Sequence, residues 1–293
     1  MNRRQFMNKG AALLAMGSIV GQNVVAQKPN KGRIGLQLWC LKAELPIDFE
    51  GTLKKVSDIG YSAVELWNLK DGKFYNRPLE EVNRLLKEMG MSISGTHTIG
   101  TEILSENVND KEWDFWKKSA ASLKSVGGKW MIQAGYLKAK TVADLKRIAA
   151  HYNRVAEVCK TEGVKFGYHN REYEFDKIEG TVFLDFLIRN TDPKLVYFEM
   201  DWGHAVRGGG DCVRYMRDFK KRIPIWLASD FDVASGKYVE VGKGSVPYPA
   251  LFDLVKSSGL EQLTVEQEDT EGDVFAKCKN NFDYMKRFKW TKA

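Results

Sequence analysis

Short apolar runs alternate with segments of helical spacing along almost the whole chain after residue 32. The apolar runs cover residues 34–40, 62–67, 91–97, 129–133, 164–169, 195–201, 223–229 and 263–266. Helical spacing lies between them, as in residues 79–89, 113–126, 142–160 and 275–288. Most runs are apolar throughout, which is typical of strands covered on both faces in a parallel sheet. The pattern predicts an α/β fold with one sheet of eight parallel strands.

The predicted sheet could close into a barrel or remain open as a doubly wound sheet. A glycine ends several of the helical segments, for example Gly60, Gly90 and Gly163, because glycine adopts the left-handed cap conformation at low cost. An open nucleotide-binding sheet typically has a glycine-rich turn after its first strand. Here the first run continues into WCLK (39–42), without a GxGxxG string. We therefore predict a (β/α)₈ TIM barrel and expect no nucleotide cofactor.

The N-terminus has the features of an export signal. Arg3 and Arg4 precede an apolar stretch, residues 11–20, and VVA at 24–26 fits a signal-peptidase site. The paired arginines followed by Phe6 resemble the twin-arginine type, which carries folded cargo.

We expect residues 1–26 to be a signal peptide and residues 27–293 to form one TIM-barrel domain in the periplasm. An apolar helix of the mature fold or an uncleaved anchor is the alternative for the first segment. The apolar stretch is short for a membrane span, so no span is expected in the mature chain.

Charge and cysteine content restrict the partners. The formal net charge is +7, but the basic residues are scattered among acids, whereas nucleic-acid binding needs a concentrated basic face. We expect no nucleic-acid partner.

The four cysteines, Cys40, Cys159, Cys212 and Cys278, have no CxxC spacing. They could pair in an oxidising compartment, but the sequence assigns no partners, and buried apolar packing is favoured.

Polar side chains occur at the ends of the predicted strands, which converge on the active face of a TIM barrel. Three of the four histidines, His97, His169 and His204, lie there, although chance would scatter them. Trp39 and Trp67, at the first two strand ends, fit either a sugar site or ordinary packing beneath loops. We predict a small-molecule carbohydrate as the partner. The predicted substrate-binding residues are Gln37, Trp39, Glu65, His97, Gln133, Asn170, Arg171 and Asp230.

Five strings in chain order carry a family resemblance: GLQLW (35–39), GYSAVE (60–65), GYHN (167–170), MDWGH (200–204) and TVEQED (264–269). Through them the chain resembles the sugar phosphate isomerase/epimerase family, which has the xylose isomerase-like barrel. The resemblance extends over nearly the whole mature chain. It implies that fold and an isomerase, epimerase or lyase activity on carbohydrates.

The resemblance also implies a divalent metal. Relatives typically hold it, often manganese, with two glutamates, an aspartate and a histidine, and Asp201 and Glu266 match those positions. The seventh strand departs from the family, because LASD (227–230) replaces the usual His-x-Lys-Asp. Asp201-x-x-His204 resembles the metal pair of the endonuclease IV branch, so Asp201, His204 and Glu266 are the predicted ligands of Mn, Zn or Mg. The cation of Arg171 favours the alternative, a site without metal.

Isomerising or epimerising a sugar requires removal of a proton next to a carbonyl and stabilisation of the enediolate. From its family position Glu266 is the predicted base. His169 is its predicted partner, because the ordinary pKa of histidine allows both proton transfers near neutral pH. Arg171, His97 or a metal would stabilise the oxyanion. The same groups would support elimination of the aglycone from a 3-keto-glycoside. Because phosphorylated sugars are largely intracellular, we expect a neutral or oxidised sugar or glycoside.

Two other functions compete with this one. A non-catalytic sugar-binding barrel is the main alternative, because the seventh strand lacks the family's histidine. An abasic-site endonuclease of the same barrel class would need a three-metal cluster, with more histidines than the four present, and export makes DNA an odd target.

Overall fold

The computed structural model describes residues 33–100, 108–135, 139–255 and 257–290, so the predicted signal peptide, residues 1–26, lies outside the described residues. The barrel strands are β1 (Ile34–Gln37), β2 (Ala63–Trp67), β3 (Ser92–Thr98), β4 (Trp130–Gln133), β5 (Lys165–His169), β6 (Val196–Asp201), β7 (Ile225–Ala228) and β8 (Gln262–Val265). These eight parallel strands form a closed barrel in the order β1-β8-β7-β6-β5-β4-β3-β2. β1 pairs with both β2 and β8, which closes the sheet and confirms the predicted TIM barrel.

Helices connect the strands, and their ends follow from local sequence. Thr141 and Asp144 form a capping box at the start of α4 (Val142–Thr161), in which each side chain accepts the other's backbone N–H. α1 (Phe49–Ile59) ends at Gly60, whose φ of 117° is accessible to glycine. Among the described helices, none has the length and apolar character that crossing a bilayer requires. The helices are α1 (Phe49–Ile59), α2 (Leu79–Glu88), α3 (Asp110–Ser125), α4 (Val142–Thr161), α5 (Phe183–Asn190), α6 (Trp202–Arg207), α7 (Cys212–Phe219), α8 (Tyr248–Val255) and α9 (Val274–Met285).

The two faces of each strand have different surroundings. Phe166 of β5 contacts Trp116 of α3, so it points outward to the helices. Its neighbour Gly167 points inward, because a Cβ there would lie 3.3 Å from Ile225 and 3.5 Å from Ile132. These isoleucines fill the lower interior of the barrel. Since side chains alternate, the inward residues further along each strand reach the carboxyl-end mouth.

Among the residues that the structure describes, three loops at this mouth carry short antiparallel hairpins, after β2, β5 and β7. They pair Lys73–Phe74 with Arg77–Pro78, Lys177–Ile178 with Thr181–Val182, and Asp230–Asp232 with Lys237–Val239. The apolar pattern of the sequence predicts the barrel strands but not these hairpins, which enlarge the walls of the mouth.

Candidate active site at the barrel mouth

Two buried carboxylates share one imidazole at the mouth. His97 Nε2 lies 2.7 Å from Glu199 Oε2 and 3.0 Å from Glu65 Oε1. Both glutamates are fully buried, and Gln37 Nε2 donates a hydrogen bond of 2.7 Å to Glu65 Oε1. Strand alternation explains the cluster, because each residue is the inward-facing one near the end of its strand.

This surrounding sets the charge of the cluster. Burial alone lowers the pKa of His97, but the charges of Glu199 and Glu65 outweigh it and raise that pKa well above its usual value. Burial, followed by the charge of Glu65, raises the pKa of Glu199 to about 8. His97 therefore holds a proton more tightly than a solvated imidazole does, and its Nε2 faces both glutamates.

Asp201 ends β6 and begins α6. Its Oδ1 accepts hydrogen bonds of 2.7 Å from His204 N and from Ser229 Oγ. The first bond is a helix N-cap, so the Asp201-x-x-His204 spacing has a structural explanation in addition to a chemical one. Asp201 Oδ2 is buried without a hydrogen-bond partner among the described residues and lies 3.7 Å from His169 Nε2.

His169 is the neutral histidine of the mouth. Neither of its ring nitrogens has a hydrogen-bond partner among the described residues, and the side chain is buried. Burial, followed by the charges of His97 and Arg171, lowers the pKa of His169 well below its usual value. A neutral imidazole offers a lone pair, which suits a base or a metal ligand.

His204 is instead enclosed by acids. Its Nδ1 lies 2.8 Å from Glu172 Oε2 and 2.5 Å from the Tyr238 hydroxyl, and its Nε2 lies 3.1 Å from Glu268 Oε1. Burial alone lowers the pKa of His204, but Asp201 and these carboxylates raise it to about 10. A nitrogen that donates to a carboxylate has no lone pair for a metal, so His204 fits the predicted ligand role less well than His169.

Glu266 and Glu268 lie after β8 and face Asp201. Oxygens of these three carboxylates lie within 4.8 Å of one another. Burial, followed by the charge of Glu268, raises the pKa of Glu266 well above its usual value. The guanidinium of Arg171 lies 3.4 Å from His204 Nε2, and the charges of Glu266 and Glu268 raise its pKa against the effect of burial.

The donor groups suit a divalent cation. Within the described part of the chain, three sets have ligand atoms within 4.8 Å of one another: Glu65, His97 and Glu199; His169, Asp201 and His204; Asp201, Glu266 and Glu268. The last two share Asp201, whose Oδ2 is unpaired within the described residues. Oxygen and imidazole donors are those that Mn²⁺, Mg²⁺ and Zn²⁺ accept, so the predicted metal has residues that could hold it.

Gln133 lies outside this group. Ile132 points into the barrel, so the next side chain points to the opposite face. Gln133 Oε1 accepts a hydrogen bond of 2.9 Å from Gly100 N, and a Cβ at Gly100 would contact Glu112 and Trp116 of α3. The structure therefore places Gln133, a predicted substrate-binding residue, against Gly100 and toward the helices.

Asn170 and Asp230 are likewise engaged by the backbone. Asn170 exchanges two hydrogen bonds with the main chain of Asp201, of 2.9 and 3.1 Å. The Asp230 carboxylate accepts backbone N–H groups from the loop after β7 and from Phe231. Trp39, by contrast, is 37% exposed at the mouth.

Residues beyond the predicted set complete the site. Glu199 stands two residues before Asp201, so strand alternation gives a signal for its inward position. Ser229 occupies the position where the family resemblance implies a seventh-strand lysine, and its hydroxyl binds Asp201. Glu172 and Tyr238 come from loops, where no periodicity indicates the direction of a side chain.

The closed barrel with acids and imidazoles at its mouth defines the class of protein. Residues 53–293 match the family model of the xylose isomerase-like TIM barrel, and the chain belongs to that family. This confirms the resemblance expected from the five sequence strings.

Particular relatives have carbohydrate-related names. A sugar phosphate isomerase/epimerase from Parabacteroides distasonis is 28% identical, with a TM-score of 0.77 over 88% of this chain and 98% of that one. The 3-keto-D-glucoside 4-epimerase of E. coli shares the fold at 15% identity, with a TM-score of 0.66 over 88% and 100%. An inosose dehydratase from Geobacillus kaustophilus is 22% identical over 187 residues, which span 58% of each protein. The sequence match thus covers little more than half of that relative.

Proposed function

We propose that this protein is an enzyme that removes a proton next to the carbonyl of a keto sugar or keto glycoside, leading to isomerisation, epimerisation or elimination. One observation carries the proposal: His169, whose ring nitrogens have no hydrogen-bond partner among the described residues, lies with its ring centroid 4.9 Å from that of His97, which contacts two buried glutamates. Epimerisation beside a keto group and dehydration of a keto compound can both begin with this step. Relatives named for each reaction support it.

Each residue has a role in the proposed reaction. Glu266 is the base, since a buried carboxylate with a raised pKa binds a proton more tightly than a solvated one. When no metal holds it, His169 exchanges the second proton through a ring nitrogen, neither of which has a hydrogen-bond partner among the described residues. His97, whose Nε2 contacts Glu65 and Glu199, donates to the developing oxyanion through its other ring nitrogen, Nδ1.

A divalent cation belongs to the proposal as well. His169, Asp201, Glu266 and Glu268 would hold it, because their donor atoms are close and Asp201 Oδ2 has no hydrogen-bond partner among the described residues. When bound, the cation would act as a Lewis acid on the carbonyl oxygen.

Deuterium exchange tests the proposed chemistry directly. The protein is incubated in D₂O with a panel of keto sugars and keto glycosides, and incorporation next to the carbonyl is followed by NMR. We expect Glu266→Gln to lower the exchange rate by about 100-fold or more, because general-base catalysis contributes about that much. Glu261→Gln is the matched control, because Glu261 lies directly before β8 and forms a partly exposed ion pair with Lys165. Full exchange by Glu266→Gln would exclude this base.

A non-catalytic sugar-binding barrel is the second candidate. Leu227 favours it, because this apolar residue stands where the family resemblance implies a seventh-strand histidine. Metal analysis of the purified protein is combined with the same exchange assay. Sugar binding without exchange or product would favour the binding barrel over the enzyme.

We also propose that the protein is exported to the periplasm after removal of residues 1–26. The twin arginines, the short apolar stretch and the small residues at 24–26 support this location. A periplasmic location favours neutral sugars and glycosides as substrates over sugar phosphates, which are largely intracellular.

A further inference from the structure

The loop after β2 forms a second cavity beside the barrel mouth. Its volume is about 430 Å³, within the size range of small-molecule sites. The cavity begins at Trp67, which is paired in register with His97 of β3. It therefore adjoins the catalytic mouth on the loop face of the barrel. The lining residues are Trp67, Asn68, Lys70, Asp71, Lys73, Phe74, Tyr75 and Asn76.

A row of aromatic rings connects the mouth with this cavity. The rings of Trp39 and Trp67 lie edge to face with centroids 4.8 Å apart, and those of Trp67 and Tyr75 are 6.0 Å apart. Trp39 stays 37% exposed, although a ring of this size is usually covered. Flat apolar faces next to polar groups are suited to the C–H faces of a pyranose ring.

The polar part of the lining carries both signs of charge. Lys70, Asp71 and Lys73 are exposed, as are Asn68 and Asn76. Such a mixture supplies hydrogen-bond donors and acceptors for several hydroxyl groups. A planar aryl group would leave most of these side chains without partners, so the lining favours a sugar ring.

The backbone of this loop is unusual. Asn68, Asp71, Tyr75 and Asn76 have φ values of 55°, 51°, 50° and 61°, in the left-handed region that favours glycine. For Tyr75 this conformation is costly, because its side chain is bulky. Phe49 and Phe74 pack against its ring and hold it in place. Strained residues of this kind concentrate at ligand sites, where the surrounding structure fixes them.

We propose that this cavity is a second sugar subsite, which binds a pyranose ring joined to the sugar that reacts in the mouth. The preferred substrate is then a keto disaccharide or a similar glycoside, rather than a free keto sugar. The identity of the reacting sugar rests on the proposed function, whereas the second ring rests on the cavity, its aromatic row and its polar lining.

Binding is tested first, independently of turnover. Calorimetry compares an unoxidised disaccharide, cellobiose, with glucose and with phenyl glucoside. We expect cellobiose to bind at least about tenfold more tightly than glucose, and Tyr75→Ala and Lys70→Ala each to weaken cellobiose binding by about fivefold or more. Lys70 is exposed, so its substitution leaves folding intact if Tyr75→Ala unfolds the loop. Lys87→Ala, an exposed lysine in the last turn of α2, is the matched control.

Turnover is tested second. The ratio of kcat/KM for a 3-keto disaccharide to that for the methyl 3-keto-glucoside should fall about tenfold in Lys70→Ala and stay constant in Lys87→Ala. Equal binding of glucose and cellobiose would overturn the subsite even if the protein exchanges deuterium. Tighter binding of phenyl glucoside than of cellobiose would overturn the pyranose assignment. Cellobiose binding that is weakened in both cavity variants, without exchange on any keto sugar, would support the subsite and contradict the proposed chemistry.

Discussion

His97 and His169 lie close together, yet their surroundings shift their pKa values in opposite directions. His97 Nε2 faces the carboxylates of Glu65 and Glu199, which hold a proton on the ring. His169 has neighbouring cations in His97 and Arg171, which oppose protonation. When adjacent titratable groups have pKa values that are shifted apart, one can donate while the other accepts. This difference supports the proposed roles, in which His97 donates a proton and His169 offers a lone pair to a proton or a metal.

The shifted pKa of Glu174, near the mouth, can be tested through the pH dependence of the free energy of unfolding. It is fully buried and accepts hydrogen bonds from Tyr168 Oη and Arg171 N, of 2.6 and 2.7 Å. Burial raises its pKa from 4.5 to about 7. The folded protein therefore keeps a proton that the unfolded chain releases, and the free energy of unfolding falls as the pH rises between these two values.

We expect Glu174→Gln to remove this pH dependence. A glutamine can accept from Arg171 N and donate to Tyr168, so both contacts are preserved. The wild type should lose about 3 kcal/mol of unfolding free energy from pH 4.5 to pH 7 that the variant retains, in urea titrations. Glu157→Gln, on the exposed face of α4, is the control. Parallel curves for the wild type and Glu174→Gln would contradict the raised pKa.

Among the elements, the loop after β7 depends on one side chain. The Asp230 Oδ2 accepts from Gly242 N and Gly244 N, at 2.8 and 3.1 Å. Its Oδ1 accepts from Val246 N and Phe231 N, both at 3.0 Å. The carboxylate thus anchors the segment that follows the hairpin carrying Tyr238, a partner of His204.

We expect Asp230→Asn to lower the free energy of unfolding by about 2–4 kcal/mol, because the new NH₂ group faces donors that it cannot satisfy. Asp232→Asn, in the same hairpin but in an exposed turn where the carboxylate accepts from Ala234 N and Ser235 N, should have a much smaller effect in the same urea titration. If Asp230→Asn instead kept full stability and lost sugar affinity, the sequence prediction of a substrate ligand would be correct.

The elements also show which features a sequence can predict. Length and apolar content indicate a strand, so all eight barrel strands lie within or next to the predicted runs. The same apolar content does not indicate which face points inward, because both faces of such a strand are buried. Gln133 illustrates this, since WMIQ offers no alternation and its last side chain points to the helices. No sequence pattern indicates the contacts of Glu172 and Tyr238 with His204, because these contacts depend on tertiary packing.

At the scale of the whole molecule, barrel closure assembles the site. β1 pairs with β8, so Gln37 and Glu266 lie at the same mouth although they are far apart in the chain. The rule that carboxyl ends of barrel strands share one face is enough to predict that the strand-end acids and histidines meet. It does not predict which of them share a proton, since that depends on distances of a few tenths of an ångström.

Closure also buries the cysteines, which connects the fold with the proposed route of export. Cys40, Cys159, Cys212 and Cys278 are free and buried, and burial raises the pKa of the first three. Cys40 Sγ lies 3.9 Å from Cys278 Sγ, so these two could be oxidised only while they are accessible. A twin-arginine signal carries folded cargo, in which the thiols are already covered when the protein meets an oxidising compartment.

We therefore expect periplasmic protein to begin at Gln27 and to contain four thiols that react with a thiol reagent only after denaturation. Mass spectrometry of the N-terminus and thiol titration with and without urea measure both. Replacing both arginines, Arg3→Lys with Arg4→Lys, should retain the precursor in the cytoplasm if the twin-arginine route is used. Two reactive thiols instead of four, with a Cys40–Cys278 disulfide, would show that the chain met the oxidant before it folded. Export in the unfolded state would then replace the twin-arginine route, because the closed barrel leaves these thiols no access.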